Sequence, residues 1–114
     1  MPRHLLIADR DPLTLHLLQV TLDDPQYVIH YAQDSQAVLA TALREKLNLI
    51  VLDMNVGGTD LARLLRRESP TRDVPLILLR PPGQEPLEPE LAQCVSKPFS
   101  PLELLHLVSA MIES

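Results

Sequence analysis

Two four-residue stretches, Leu49-Ile50-Val51-Leu52 and Leu76-Ile77-Leu78-Leu79, are apolar at every position. They constrain the fold more than anything else in this chain. A strand with one face in water alternates apolar and polar side chains. A run without alternation needs cover on both faces, as in parallel sheets flanked by helices. Three further short runs, Leu5-Leu6-Ile7-Ala8, Tyr27-Val28-Ile29 and Cys94-Val95, bring the expected strands to five.

Amphipathic segments separate these runs. Asp11-Pro12 precedes Leu13, Leu15, Leu17, Leu18 and Leu22, with Asp as an N-cap and Pro at the first helical position. A second helix is expected from about Asp34-Ser35 to about Lys46, burying Val38, Leu39, Ala42 and Leu43. A third runs from about Asp60 to Glu68, carrying Leu61, Leu64 and Leu65 and stopping before Pro70. The last opens on the capping sequence Ser100-Pro101-Leu102-Glu103, with Leu104, Leu105, Leu107, Val108, Met111 and Ile112 as its apolar face. Strands alternating with helices give an α/β domain with a doubly wound parallel sheet, and right-handed crossovers leave few topologies. One interval breaks the rhythm. Pro81, Pro82, Gly83, Pro86 and Pro89 fall between Arg80 and Ala92, so the helix expected there is truncated or missing, with at most one turn around Pro89 to Gln93.

The 114 residues suit one domain, here read as residues 1–114. Charged residues at 22% argue against a disordered tail, and aromatics at 3% against base-stacking platforms. A net charge of −5 argues against direct nucleic-acid binding. No apolar run reaches the ~20 residues of a membrane span, and the N-terminal run is too short for a signal peptide. The single Cys94 leaves no internal disulfide, so a cytoplasmic location is expected. Cys94 itself reads as a small core residue. His4, His16, His30 and His106 show no ligand spacing, so no metal or phosphotransfer role is expected of them. Gly57-Gly58 lacks the lysine and the spacing of a phosphate-binding loop.

Ligands of open parallel sheets sit at the carboxyl ends of the strands. The residues expected there are Asp9 with Arg10 and Asp11, then Asp53 with Met54 and Asn55, then Arg80, then Lys97-Pro98-Phe99. Two carboxylates and several cations converge on one edge from distant parts of the chain. In this order, Leu-Ile-Ala-Asp9-Arg-Asp-Pro12, Leu-Asp53-Met-Asn-Val-Gly-Gly-Thr-Asp60 and Lys97-Pro98-Phe99 resemble the receiver domain of two-component response regulators over essentially the whole chain.

The resemblance implies the strand order 2-1-3-4-5. It implies a phosphorelay role, not that of an enzyme, with Asp53 accepting a phosphoryl group from a histidine kinase and Lys97 pairing with it. It also implies Mg²⁺ held by Asp9, Asp53 and the backbone carbonyl of Asn55, and a cis Lys97–Pro98 bond. The implied partners are a histidine kinase or another signalling protein, and a homodimer stays open.

Three departures accompany these matches. Arg10 stands where receivers usually carry a second acidic metal ligand, Arg80 where they carry Thr or Ser, and Cys94 where they carry an aromatic switch residue. With Arg10 facing inward, Asp9, Asp53, Lys97 and Arg10 sum to zero, and an inward Arg80 makes the site +1. A fixed guanidinium pairs well with carboxylates, so Mg²⁺ binding is expected to be weakened or lost. The rival reading is a pseudo-receiver, which keeps the fold and signals through protein contacts without phosphorylation. A small hydrolase or nucleotide-binding domain is disfavoured, since neither a nucleophile–base pair nor a glycine-rich phosphate loop is found.

Overall fold

The computed structural model describes residues 1–83 and 92–113. Among the described residues, five strands and four helices follow one another: β1 Arg3–Ala8, α1 Pro12–Thr21, β2 Tyr27–Ala32, α2 Ser35–Arg44, β3 Leu49–Asp53, α3 Gly58–Arg67, β4 Leu76–Arg80, β5 Gln93–Ser96 and α4 Pro101–Glu113. All strand pairs are parallel, and the sheet order is β2-β1-β3-β4-β5, as the resemblance implies.

The unbroken apolar runs have the cover they require. Every residue of β3 is buried, and so are the first four of β4. Alternate side chains point to opposite faces and build two cores. Leu6, Ala8, Ile50, Leu52, Leu76 and Leu78 pack against Val38 and Ala42 of α2 and Leu61 and Leu65 of α3. Leu5, Ile7, Leu49, Val51, Ile77 and Leu79 pack against Leu18 of α1 and Leu104 and Val108 of α4.

The helix starts follow their capping residues. Asp11 accepts from the Leu13 N–H at 3.0 Å with Pro12 behind it, and Asp34 accepts from the Ala37 N–H at 2.8 Å. The Ser100 hydroxyl accepts from the Glu103 N–H at 3.3 Å.

Some expected boundaries shift. The second helix ends at Arg44, short of Lys46, because Glu45 turns to extended backbone and the chain is pinned at Asn48. Asn48 Oδ1 accepts from His4 N–H, and Asn48 N–H donates to His4 O, both at 2.7 Å. Leu43, expected in the core, is 76% exposed. The apolar stripe of α2 is narrower than expected, with Val38, Thr41 and Ala42 as its buried residues. The third helix starts at Gly58, two residues before Asp60, because Gly57 at φ +75° turns the chain in a left-handed conformation. A Cβ at Gly57 would lie 2.6 Å from Leu61 Cβ, so glycine is required twice over. The interval expected to lack a full helix falls mainly on residues 84–91, outside the described residues. Among the described residues, no helix is long and apolar enough to cross a membrane.

Candidate functional site

The parallel sheet brings Asp9 and Asp53 together because β1 and β3 are neighbours running in one direction. Asp9 directly follows β1, its N–H still donating to Ala32 O at 3.1 Å, and Asp53 is the last residue of β3. Lys97 follows β5, and its N–H donates to Arg80 O at 2.8 Å, which holds the start of that loop against the end of β4. The Lys97–Pro98 bond is cis, as the resemblance implies.

The three side chains meet. Lys97 Nζ lies 2.7 Å from Asp53 Oδ1 and 2.9 Å from Asp9 Oδ2. The other oxygen of each carboxylate accepts a backbone N–H from two residues ahead, Asp9 Oδ1 from Asp11 at 2.9 Å and Asp53 Oδ2 from Asn55 at 3.0 Å. Each carboxylate thus folds the loop that follows it and grips the same ammonium group. Asp9 is 2% and Asp53 1% exposed, a depth at which a carboxylate needs such partners. Burial pulls the Lys97 pKa down, but hydrogen bonds and charge from Asp53 and Asp9 outweigh it and hold the value above that of an ordinary lysine.

The remaining candidates take other roles. Arg10 is exposed, and among the described residues no ion pair joins it to Asp9 or Asp53. The zero charge sum therefore does not hold, and the inner cluster of two carboxylates and one lysine carries −1. Arg80 is half-buried at the end of β4 and contributes its carbonyl to the Lys97 backbone. Asn55 is exposed and contributes its N–H. Asp11 caps α1 and also accepts from the Thr14 hydroxyl at 3.0 Å. The Leu13 N–H and the Thr14 hydroxyl hold its pKa below the usual carboxylate value. Cys94 is half-buried and packs against the core shared with α2 and α3.

Mg²⁺ takes near-octahedral oxygen ligands, commonly one or two carboxylates plus waters. The residues present fit it poorly. Both carboxylates are already bridged by Lys97, the third acidic position holds Arg10, and Asp11 is committed to the helix cap.

An exposed apolar stripe runs along α1 and meets the site at Leu17. Leu13, Leu17 and Val20 of α1, at i, i+4 and i+7, are 78%, 43% and 62% exposed. Leu17 joins Thr14, Pro82, Lys97, Pro98 and Phe99 around a cleft of about 340 Å³.

A second cluster lies on the side of the sheet covered by α2, toward the amino end of β1. His4, His30 and Glu45 converge there, although sequence spacing shows nothing of it. His4 is opposite Val28 and His30 opposite Leu6, so the two histidines are diagonal neighbours on one face. Strand alternation alone could have put each on the α2 side. Only the register joins them.

Comparison with known proteins agrees with this architecture. The model of the response regulator receiver domain matches residues 5–109. The chain is 33% identical over 116 residues to the phosphate regulon transcriptional regulatory protein PhoB of Pseudomonas aeruginosa, covering 95% of this chain and 51% of that protein. It is 28% identical over 113 residues to the transcriptional regulatory protein ResD of Bacillus subtilis, covering 95% and 47%. The chain thus spans about half the length of these curated relatives. Among solved structures, the chemotaxis response regulator CheY4 of Vibrio cholerae superposes with a TM-score of 0.82 at 22% identity, covering 97% of this chain and 99% of that one. The receiver domain of the Francisella response regulator 1452 gives 0.85 at 20% identity, covering 97% of each. The family match over residues 5–109, which include Asp9, Asp53 and Lys97, places the chain in the response regulator receiver domain family.

Proposed function

We propose that this receiver domain works in a phosphorelay, with Asp53 accepting a phosphoryl group from a phosphohistidine on a histidine kinase or another signalling protein. The observation that carries the reading is the Lys97 ammonium, 2.7 Å from Asp53 Oδ1 at a strand end nearly closed to water. In the transfer, an Asp53 oxygen bonds to phosphorus, the phosphorus–nitrogen bond breaks, and the imidazole leaves with the electron pair. The acyl phosphate brings roughly −2 charge near neutral pH. Lys97 already stands where that charge arrives and needs no reorganisation to meet it. The chain is modified in this reaction rather than turning over a substrate, so it is not an enzyme in the ordinary sense. The apolar stripe of Leu13, Leu17 and Val20, which meets the site at Leu17, suits a helix of the phosphoryl donor. In that role the domain works in the cytoplasm.

A second reading, a pseudo-receiver acting through protein contacts alone, draws support from the same atoms. Lys97 ties up both carboxylates, and Arg10 replaces an acidic ligand. Intact mass after incubation with acetyl phosphate, with and without Mg²⁺, separates the two. Gain of one phosphoryl group by the native chain and none by Asp53→Asn is the expected result. No gain in any condition, with circular dichroism intact, overturns phosphoacceptance in favour of the pseudo-receiver.

A further inference from the structure

We propose that His4, His30 and Glu45 form a binding site for a divalent transition metal ion of the zinc class, separate from the Asp53 site. His4 is the second residue of β1, and Asp9 lies five residues on, about 17 Å along an extended strand. One candidate ligand atom from each of the three side chains lies within 4.8 Å of the other two.

The two imidazoles are already close to ligand spacing. In a tetrahedral zinc site with Zn–N bonds near 2.05 Å, adjacent ligand atoms stand roughly 3.3 Å apart. His4 Nδ1 and His30 Nε2 are 3.1 Å apart, with the rings 16° from parallel. Without metal these nitrogens share one hydrogen. When His4 carries its proton on Nε2 instead, both facing lone pairs are free for an ion, so binding needs a change of tautomer and a rotation of the rings toward a common point, with no net proton loss.

The third ligand is held in place by backbone. The paired Asn48–His4 hydrogen bonds, 2.7 Å each, tie the segment after α2 to β1, and Glu45 lies at the start of that segment. Its carboxylate currently meets Arg44 Nε at 3.4 Å. That pair is long and open to water on the Arg44 side, so an ion displaces it at little cost. Arg3 and Lys46 also border the cleft beside His4 and Glu45, and their positive charge opposes the cation. Two neutral imidazoles and a carboxylate favour zinc over magnesium, which prefers oxygen ligands. Three protein ligands leave a fourth position, where the open cleft supplies water.

Calorimetric titration of the tag-free chain with zinc chloride at pH 7.5 tests the assignment. One ion per chain is expected, bound at least ~tenfold more weakly by His30→Gln and by Glu45→Gln. His16→Gln and His106→Gln, which change exposed histidines, should bind as the native chain does. Excess Mg²⁺ should leave the zinc affinity unchanged. No binding at millimolar zinc, equal loss with the exposed-histidine variants, or displacement by Mg²⁺ would each overturn the site. Glu45→Gln changes a half-exposed helix end, so it decides the matter even if His30→Gln fails to fold.

Discussion

The carboxyl edge of the sheet and the β1–β2 face under α2 each gather three ionisable side chains, and they do so by opposite means. At the carboxyl edge, Asp9, Asp53 and Lys97 come from the ends of three strands and are locked by full charges at 2.7 and 2.9 Å. Under α2, two imidazoles and a carboxylate meet through a diagonal strand register and a helix end, joined by a single 3.1 Å contact between the two rings. The first cluster is assembled whether or not a ligand arrives, because two carboxylates at 2% and 1% exposure need a cation and hydrogen bonds in place of the water they have lost. The second is only half-buried, and its imidazoles carry no such obligation. One site is therefore held by electrostatic necessity, the other by backbone placement alone.

The largest test of this contrast strikes what the two sites share. Leu6 lies on β1 between His4 and Asp9, is fully buried, and stands opposite His30 in the register. Leu6→Ala should cost about 2–5 kcal/mol of stability in urea unfolding. Zinc binding and phosphoryl uptake should then weaken together; loss of one alone would mean that β1 does not couple them.

A smaller effect is expected from Lys97→Met, which removes the charge and keeps an unbranched stem. Two buried like charges are left facing each other, at a cost of about 2 kcal/mol at pH 7, below the figure for fully buried pairs because Lys97 is partly exposed. In the native chain the sign is set by the raised Lys97 pKa. The stabilisation is fully present below the ordinary lysine value of 10.5 and is lost as pH rises through the higher folded value. Thermal unfolding at alkaline pH checks this slope, and identical profiles for the two proteins would mean that the bridge contributes nothing. The His4, His30 and Glu45 cluster should be unaffected.

The smallest of the three is Arg10→Asp. It restores an acidic group beside Asp9 and should strengthen Mg²⁺ binding about tenfold, worth ~1.4 kcal/mol. Unchanged Mg²⁺ affinity in a direct titration would place the obstacle in the Lys97 bridge and not at Arg10.

Much of the carboxyl-edge site is legible in the order of the residues. Asp9 and Asp53 directly follow apolar runs, Lys97 comes two residues after the last one, and in a parallel sheet the ends of neighbouring strands lie side by side. Periodicity alone marks such positions. Arg10 is not legible in the same way, because a residue next to a strand end can turn either way and a long stem lets its guanidinium reach water. Leu43 escapes the pattern for a related reason. Helical spacing gives the direction of an apolar stripe, while its width depends on what the sheet and the neighbouring helix leave uncovered.

The cluster under α2 is illegible for a stronger reason. His4 and His30 lie 26 residues apart and meet as diagonal neighbours, a relation set by the β1–β2 register, and Glu45 joins them only because α2 ends where Asn48 pins the chain. Local chemistry thus determined the strands, the capped helix starts and the parallel α/β class, since each follows from side-chain pattern over a few residues. Which way Arg10 turns, how one lysine serves two carboxylates and which histidines become neighbours were decided by the tertiary structure, because each depends on distances between segments that no local pattern encodes.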